Sequence, residues 1–131
     1  KSLLETPIVK IFVKAYGAFP VDRDAVDVKA IKTSLKILKD GGVLGIFPEG
    51  TRVRDKKESN PKGGFAMIAY KTKTTLQPVR IKYKHKAMIF NTVEVIIDKP
   101  ISPEDFVIDE PTAEGYEKAS RSLMQRVYGL E

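Results

Sequence analysis

Glu49 and Arg52 stand three residues apart in Phe47-Pro48-Glu49-Gly50-Thr51-Arg52, directly after the apolar run that begins at Val43. An apolar run that ends at a proline and hands over to charged residues has the layout of a buried strand delivering side chains at its C-terminal end. Gly50 lets the backbone turn between the two charges, and Thr51 adds a hydroxyl. This combination suits the holding of a phosphorylated polyol, since a guanidinium fork matches phosphate oxygens and a carboxylate accepts from hydroxyls. Backbone N–H groups around Gly50 and Thr51 add further anion contacts. The plain alternative is a Pro-Glu-Gly turn with a surface ion pair. Against it, Arg54-Asp55-Lys56-Lys57 crowds positive charge beside Arg52 without enough acids to neutralise it.

Two more cations belong to the same chemistry. On a strand, Phe19, Val21 and Arg23 share one face, so an otherwise apolar face finishes with a guanidinium. That arginine either grips a phosphate bidentately, as a lysine would not, or pairs with Asp22, Asp24 or Asp27. Lys62 precedes Gly63-Gly64 and the next helix, whose start favours anions, and is a further phosphate candidate.

The elements that must position these residues alternate in type. Leu4, Ile8, Ile11, Phe12 and Ala15 recur at helical spacing, and Gly17 ends that amphipathic helix. Ala18 to Asp22 reads as a short strand at a sheet edge, because Pro20 cannot donate to a ladder. Asp24 caps a second helix with Val28, Ile31, Leu35 and Leu38 on its apolar face, closed by Gly41-Gly42. Val43 to Phe47 is the clearest strand, and residues 48 to 64 form a long polar loop of the kind that is usually functional or mobile. Phe65 to Lys71 reads as a helix, Gln77 to Tyr83 and Thr92 to Asp98 as strands, and Thr112 to Tyr128 as a closing helix with Tyr116, Leu123 and Val127 inward. The expectation is a single α/β domain over residues 1–131, with one central sheet flanked by helices.

Composition bounds the function. The 131 residues are 42% hydrophobic, enough for one core. No cysteine is present, which fits a reducing compartment, and no run approaches ~18 consecutive apolar residues, so nothing spans a bilayer as a helix. The net charge is +6, and eleven of the 23 basic residues fall between Arg52 and Lys86. A local basic excess suits phosphorylated metabolites, nucleic acid or an anionic membrane surface.

Three stretches, in order, resemble sequence blocks of the glycerolipid acyltransferases. Gly17-Ala18-Phe19-Pro20-Val21-Asp22-Arg23 resembles the second block, and Phe47 to Arg52 matches the third at every position. Leu76-Gln77-Pro78-Val79 resembles the fourth, with Gln77 where an apolar residue is commoner. The resemblance implies a glycerol-3-phosphate acyltransferase-like α/β fold and transfer of a fatty acyl group to a lysophosphatidic acid, giving phosphatidic acid. The acyl group would come from acyl-CoA or acyl-carrier protein as co-substrate, with no bound cofactor and no metal. It places Arg52, with Arg23 and Lys62, on the acceptor phosphate. Glu49, Gly50 and Thr51 then position the glycerol or order the loop. Pro78 and Val79 wall an acyl channel in that reading, or simply pack in the core.

The resemblance also implies a catalytic His-x4-Asp pair, in which the histidine takes the hydroxyl proton and the aspartate orients it. The sixteen residues before Gly17 contain neither residue type, and the one histidine, His85, is followed five positions on by Phe90. His85 reads as a surface histidine between Lys84 and Lys86. The chain is therefore expected to be the family domain cut before its second block. It should be inactive alone and prone to associate through the face that the cut exposes. Its partners would be a lysophospholipid, an acyl thioester and an anionic membrane surface on the cytoplasmic side. An acyltransferase acting on glycerol 3-phosphate or another lysophospholipid shares the same phosphate-binding end. A nucleic-acid module would interleave aromatics with the basic residues, and the stretch from Arg52 to Lys62 has none. A noncatalytic scaffold would lack the His-x4-Asp pattern altogether.

Overall fold

The computed structural model describes residues 17–19, 21, 27–50, 61–86 and 90–131. Helix α1 spans Val28–Lys39, α2 Gly64–Thr72 and α3 Ala113–Gly129; strands β1, Val79–Lys86, and β2, Phe90–Ile97, lie between α2 and α3. The N-terminal helix and the full Ala18 to Asp22 strand expected from sequence fall wholly or partly outside the described residues, and Gly17 to Phe19 and Val21 carry no strand.

Helix α1 is capped by Asp27 and not by Asp24: the Asp27 carboxylate accepts from the Ala30 amide at 2.9 Å. A cap acts from the residue just before the first helical turn, and the helix starts at Val28. The buried positions of α1 are Ala30 and Ser34, whereas Val28, expected inward, is exposed. Small side chains let α1 approach α2 closely, and the Ser34 hydroxyl is satisfied by the Ala30 carbonyl at 2.9 Å. Helix α2 ends on Lys73 in the left-handed conformation, φ 49°. That conformation favours glycine, so Lys73→Gly should raise stability by about 0.5–1 kcal/mol, read from the shift of the thermal midpoint.

Val43 to Phe47 forms no strand. Val43 is 94% exposed and Phe47 76%. No backbone hydrogen bond among the described residues involves positions 43 to 46. A strand exists through its ladder, and high β-propensity without a neighbour does not make one. The sheet that does form has two strands in the order β1-β2. Residues Val79 to Lys86 pair antiparallel with Ile97 to Phe90. Among the described residues the expected central sheet is thus a hairpin beside three helices, which retains the α-plus-β character.

Pairing puts Val79, Ile81 and Tyr83 opposite Ile97, Val95 and Val93 on one face of the hairpin. All six are exposed. The other face carries Arg80, Lys82, Glu94 and Ile96 and turns towards α3, where the Arg80 guanidinium donates to the Leu130 carbonyl just past the helix end. A cation at that end suits the helix dipole.

The core lies between helices. The buried apolar residues among those described are Ala30 of α1, Phe65, Ala66, Ile68 and Ala69 of α2, Met124 and Val127 of α3, and Ile101, and α2 packs against both other helices. Helix α3 shows Ser120, Met124 and Val127 as its buried stripe, and Tyr116 packs its ring 6.0 Å from that of Tyr70. Leu123, expected inward, is only half-buried. The far end of α3 is tied to β2 by Arg126, whose guanidinium donates to Asp98 at 2.6 Å.

That bond, with the Lys99 amide donating to the same carboxyl at 2.7 Å, holds Asp98 below the ordinary carboxylate range. A carboxyl depressed on folding contributes stability at pH values above its unfolded pKa, and the contribution is lost as pH falls through the folded value. Arg126→Gln should therefore raise the Asp98 pKa, followed by NMR titration. The acid side of the stability profile should flatten with it, leaving neutral-pH packing of α3 intact.

Candidate functional site

Pro48 and Glu49 form a turn that closes with the Gly50 amide donating to the Phe47 carbonyl at 3.1 Å. Gly50 has φ +65°, a left-handed conformation that a side chain at this position would strain. The glycine between carboxylate and guanidinium is thus required by the backbone. The Lys62 amide donates to the Pro48 carbonyl at 3.2 Å, so the two ends of the loop meet.

Helix α3 holds both ends. The Tyr128 hydroxyl donates to Glu49 Oε1 at 2.9 Å. The Ser120 hydroxyl, fully buried, donates to the Lys62 carbonyl at 3.2 Å. Next to Lys62, the Gly63 backbone lies against Tyr116 and Glu117 so closely that a Cβ there would come within 2.9 Å of the Tyr116 Cβ. One side of α3, from Tyr116 through Ser120 to Tyr128, is therefore the wall against which the site is built.

Of the residues singled out from sequence, the structure brings together Glu49, Gly50 and Lys62. The Lys62 side chain is exposed just before α2. Arg23, Thr51 and Arg52 lie outside the described residues. Pro78 is buried at the foot of β1, its carbonyl accepting from the Asp98 amide at 3.1 Å and from the Gln77 side chain at 3.3 Å. Val79, the next residue, points to the exposed apolar face opposite Ile97. His85 lies on β1 across from Asn91. Sequence reasoning missed Tyr128 and Ser120. Their contacts span 79 and 58 residues along the chain, and no local pattern announces them. No group of His, Cys, Asp and Glu among the described residues is arranged to hold a metal ion.

The Pro-Glu-Gly turn is thus tied to α3 through Glu49 and closed beside Lys62, and comparison with known proteins gives the chain a family. The chain belongs to the acyltransferase family, whose model matches residues 1–82. It is 34% identical over 135 residues to a 1-acyl-sn-glycerol-3-phosphate acyltransferase of Bacillus subtilis (strain 168), covering 100% of this chain and 66% of the relative. A protein of the same name from Borreliella burgdorferi is 35% identical over 98 residues, covering 70% of this chain and 38% of the relative. The chloroplastic 1-acyl-sn-glycerol-3-phosphate acyltransferase LPAT1 of Arabidopsis thaliana is 32% identical over 105 residues, covering 72% and 30%. The chain thus spans less than two thirds of the length of each of these curated relatives. No solved structure matches it.

Proposed function

We propose that this chain forms the acceptor-holding part of an enzyme that transfers a fatty acyl group to the free hydroxyl of 1-acylglycerol 3-phosphate, yielding phosphatidic acid for phospholipid synthesis. The observation that carries the reading is the Phe47-to-Arg52 stretch. It lies inside the family match, its glutamate is fixed by a helix, and its loop closes beside Lys62. Arg52, with Arg23 and Lys62, takes the acceptor phosphate, and Glu49 accepts from a glycerol hydroxyl. The acyl group arrives as a thioester of coenzyme A or of acyl-carrier protein. Names of the similar proteins support the acceptor; they do not choose the donor.

The general base in this reading is a histidine–aspartate pair outside the 131 residues, since His85, the single histidine here, has no acid five positions on. These residues alone are therefore proposed to be inactive. Both substrates are amphiphiles, and the net charge of +6 supports work at the anionic cytoplasmic face of a membrane. No helix among the described residues is long and apolar enough to cross one.

The test is an acyl-transfer assay on the intact protein purified free of host acyltransferases, with 1-acylglycerol 3-phosphate, glycerol 3-phosphate and lysophosphatidylcholine as acceptors. Transfer to the first, with none from residues 1–131 alone, supports the reading. Preference for either other acceptor, or turnover by the 131 residues, overturns the corresponding part.

A further inference from the structure

Both ends of the Pro48–Lys62 loop are tied to one helix that lies beyond the span matched by the family model, residues 1–82. We propose that Tyr128, on the last turn of α3, is a positioning residue for the acceptor site: its hydroxyl orients the Glu49 carboxylate, while Ser120 two turns earlier holds the other end of the loop. The inference rests on the acceptor reading of Glu49 given above, and adds to it the group that aims the glutamate.

The geometry carries this. Eight residues of helix separate Ser120 from Tyr128, about 12 Å of rise, so a rigid element sets the spacing between the two anchor points. The spacing is reinforced by Gly63, whose backbone fits against Tyr116 and Glu117 with no room for a side chain. At the other end, Arg80 binds the Leu130 carbonyl and Arg126 binds Asp98, so the turn carrying Tyr128 is itself fastened to the hairpin. A carboxylate is acceptor-only, so the tyrosine must donate, and an O–H donating to a carboxylate is among the stronger neutral-to-charged bonds. Binding through Oε1 orients the plane of the carboxylate and leaves it the lone pairs with which to accept from a ligand hydroxyl. Gly50, with its left-handed backbone, imposes no side-chain preference of its own on the turn. Among the described residues, Tyr128 supplies the side-chain hydrogen bond that orients the Glu49 carboxylate.

The experiment uses the intact protein with Tyr128→Phe, Glu49→Ala and the double variant, read in two ways. In hydrogen exchange, Tyr128→Phe should speed exchange of the Gly50 amide by about tenfold while amides of α2 and of the hairpin keep their rates. In acyl transfer, Tyr128→Phe should raise the acceptor KM about tenfold with donor KM and kcat within about twofold, because aim and not chemistry is lost. Adding Tyr128→Phe to Glu49→Ala should change nothing further, since the tyrosine acts through the glutamate. Additive effects on acceptor KM, an unchanged Gly50 exchange rate, or faster exchange throughout α3 would each overturn the proposal. The last of these would assign Tyr128 a purely structural role. If the intact protein transfers no acyl group, the acceptor reading fails, and the Gly50 exchange rate still decides whether Tyr128 holds the turn.

Discussion

Phe65→Ala is expected to lower stability by about 3–5 kcal/mol and the thermal midpoint by roughly 10–20 °C, measured by circular dichroism. Among the described residues Phe65 is the largest side chain of the buried apolar core, which comprises Ala30, Phe65, Ala66, Ile68, Ala69, Ile101, Met124 and Val127. Three of these are alanines, which bring α1 and α2 together but bury little area each. A core of this kind concentrates its hydrophobic free energy in few residues, and a natural domain has only ~5–15 kcal/mol to lose. The phenylalanine lies in the first turn of α2, two residues beyond the Gly63 contact with α3. A cavity there loosens the joint between α2 and α3 on which the loop is built. Val43→Ser is the paired control. At 94% exposure Val43 should tolerate serine within about 0.5 kcal/mol. A loss comparable to that of Phe65→Ala would instead mean that Val43 to Phe47 is the buried strand its composition suggests.

That contrast shows where the sequence was legible. The described helices were readable because their signals are local: Gly41-Gly42 as a stop and apolar periodicity in α3, although the cap read from sequence, Asp24, lies three residues before the one that acts, Asp27. The hairpin strands were readable from β-branched alternation in Val93, Val95 and Ile97. Which face of each element would be covered was not readable, because it depends on partners. Ala30 and Ser34 bury while Val28 stays exposed, since a close helix crossing selects small side chains over large ones. Likewise Val43 to Phe47, apolar and β-prone apart from Gly45, pairs with nothing described. For the site, the glutamate and the glycine of Phe47 to Arg52 stood out by type and spacing. Tyr128 did not, because a tyrosine ending an amphipathic helix is ordinary, and only the fold brings it to Glu49.

Arg52→Lys is expected to raise the KM for 1-acylglycerol 3-phosphate by about 10- to 100-fold, with kcat and the KM for the acyl thioester changed far less. The substitution keeps the charge and changes only the geometry. A guanidinium offers two parallel N–H donors to two phosphate oxygens, and an ammonium offers a compact, strongly hydrated point charge. Losing one charge-assisted bond costs about 1.5–3 kcal/mol, which converts to that range of KM. The phosphate sits on the carbon next to the one bearing the reacting hydroxyl but takes no part in the bond exchange, so its contacts act on substrate and transition state nearly alike and appear in KM. The contrast with Tyr128→Phe is informative. Both should raise acceptor KM, but only Arg52→Lys should abolish the advantage of the phosphorylated acceptor over its dephosphorylated analogue, because of the two only Arg52 is proposed to contact the phosphate. If Arg52→Lys instead raised the KM for the thioester, the guanidinium would belong to the donor side, where the phosphates of coenzyme A or the phosphopantetheine arm offer the same chemistry. The measurement is therefore a two-substrate kinetic matrix with phosphorylated and dephosphorylated acceptors. An acceptor KM equal to that of the wild type would remove Arg52 from the acceptor site.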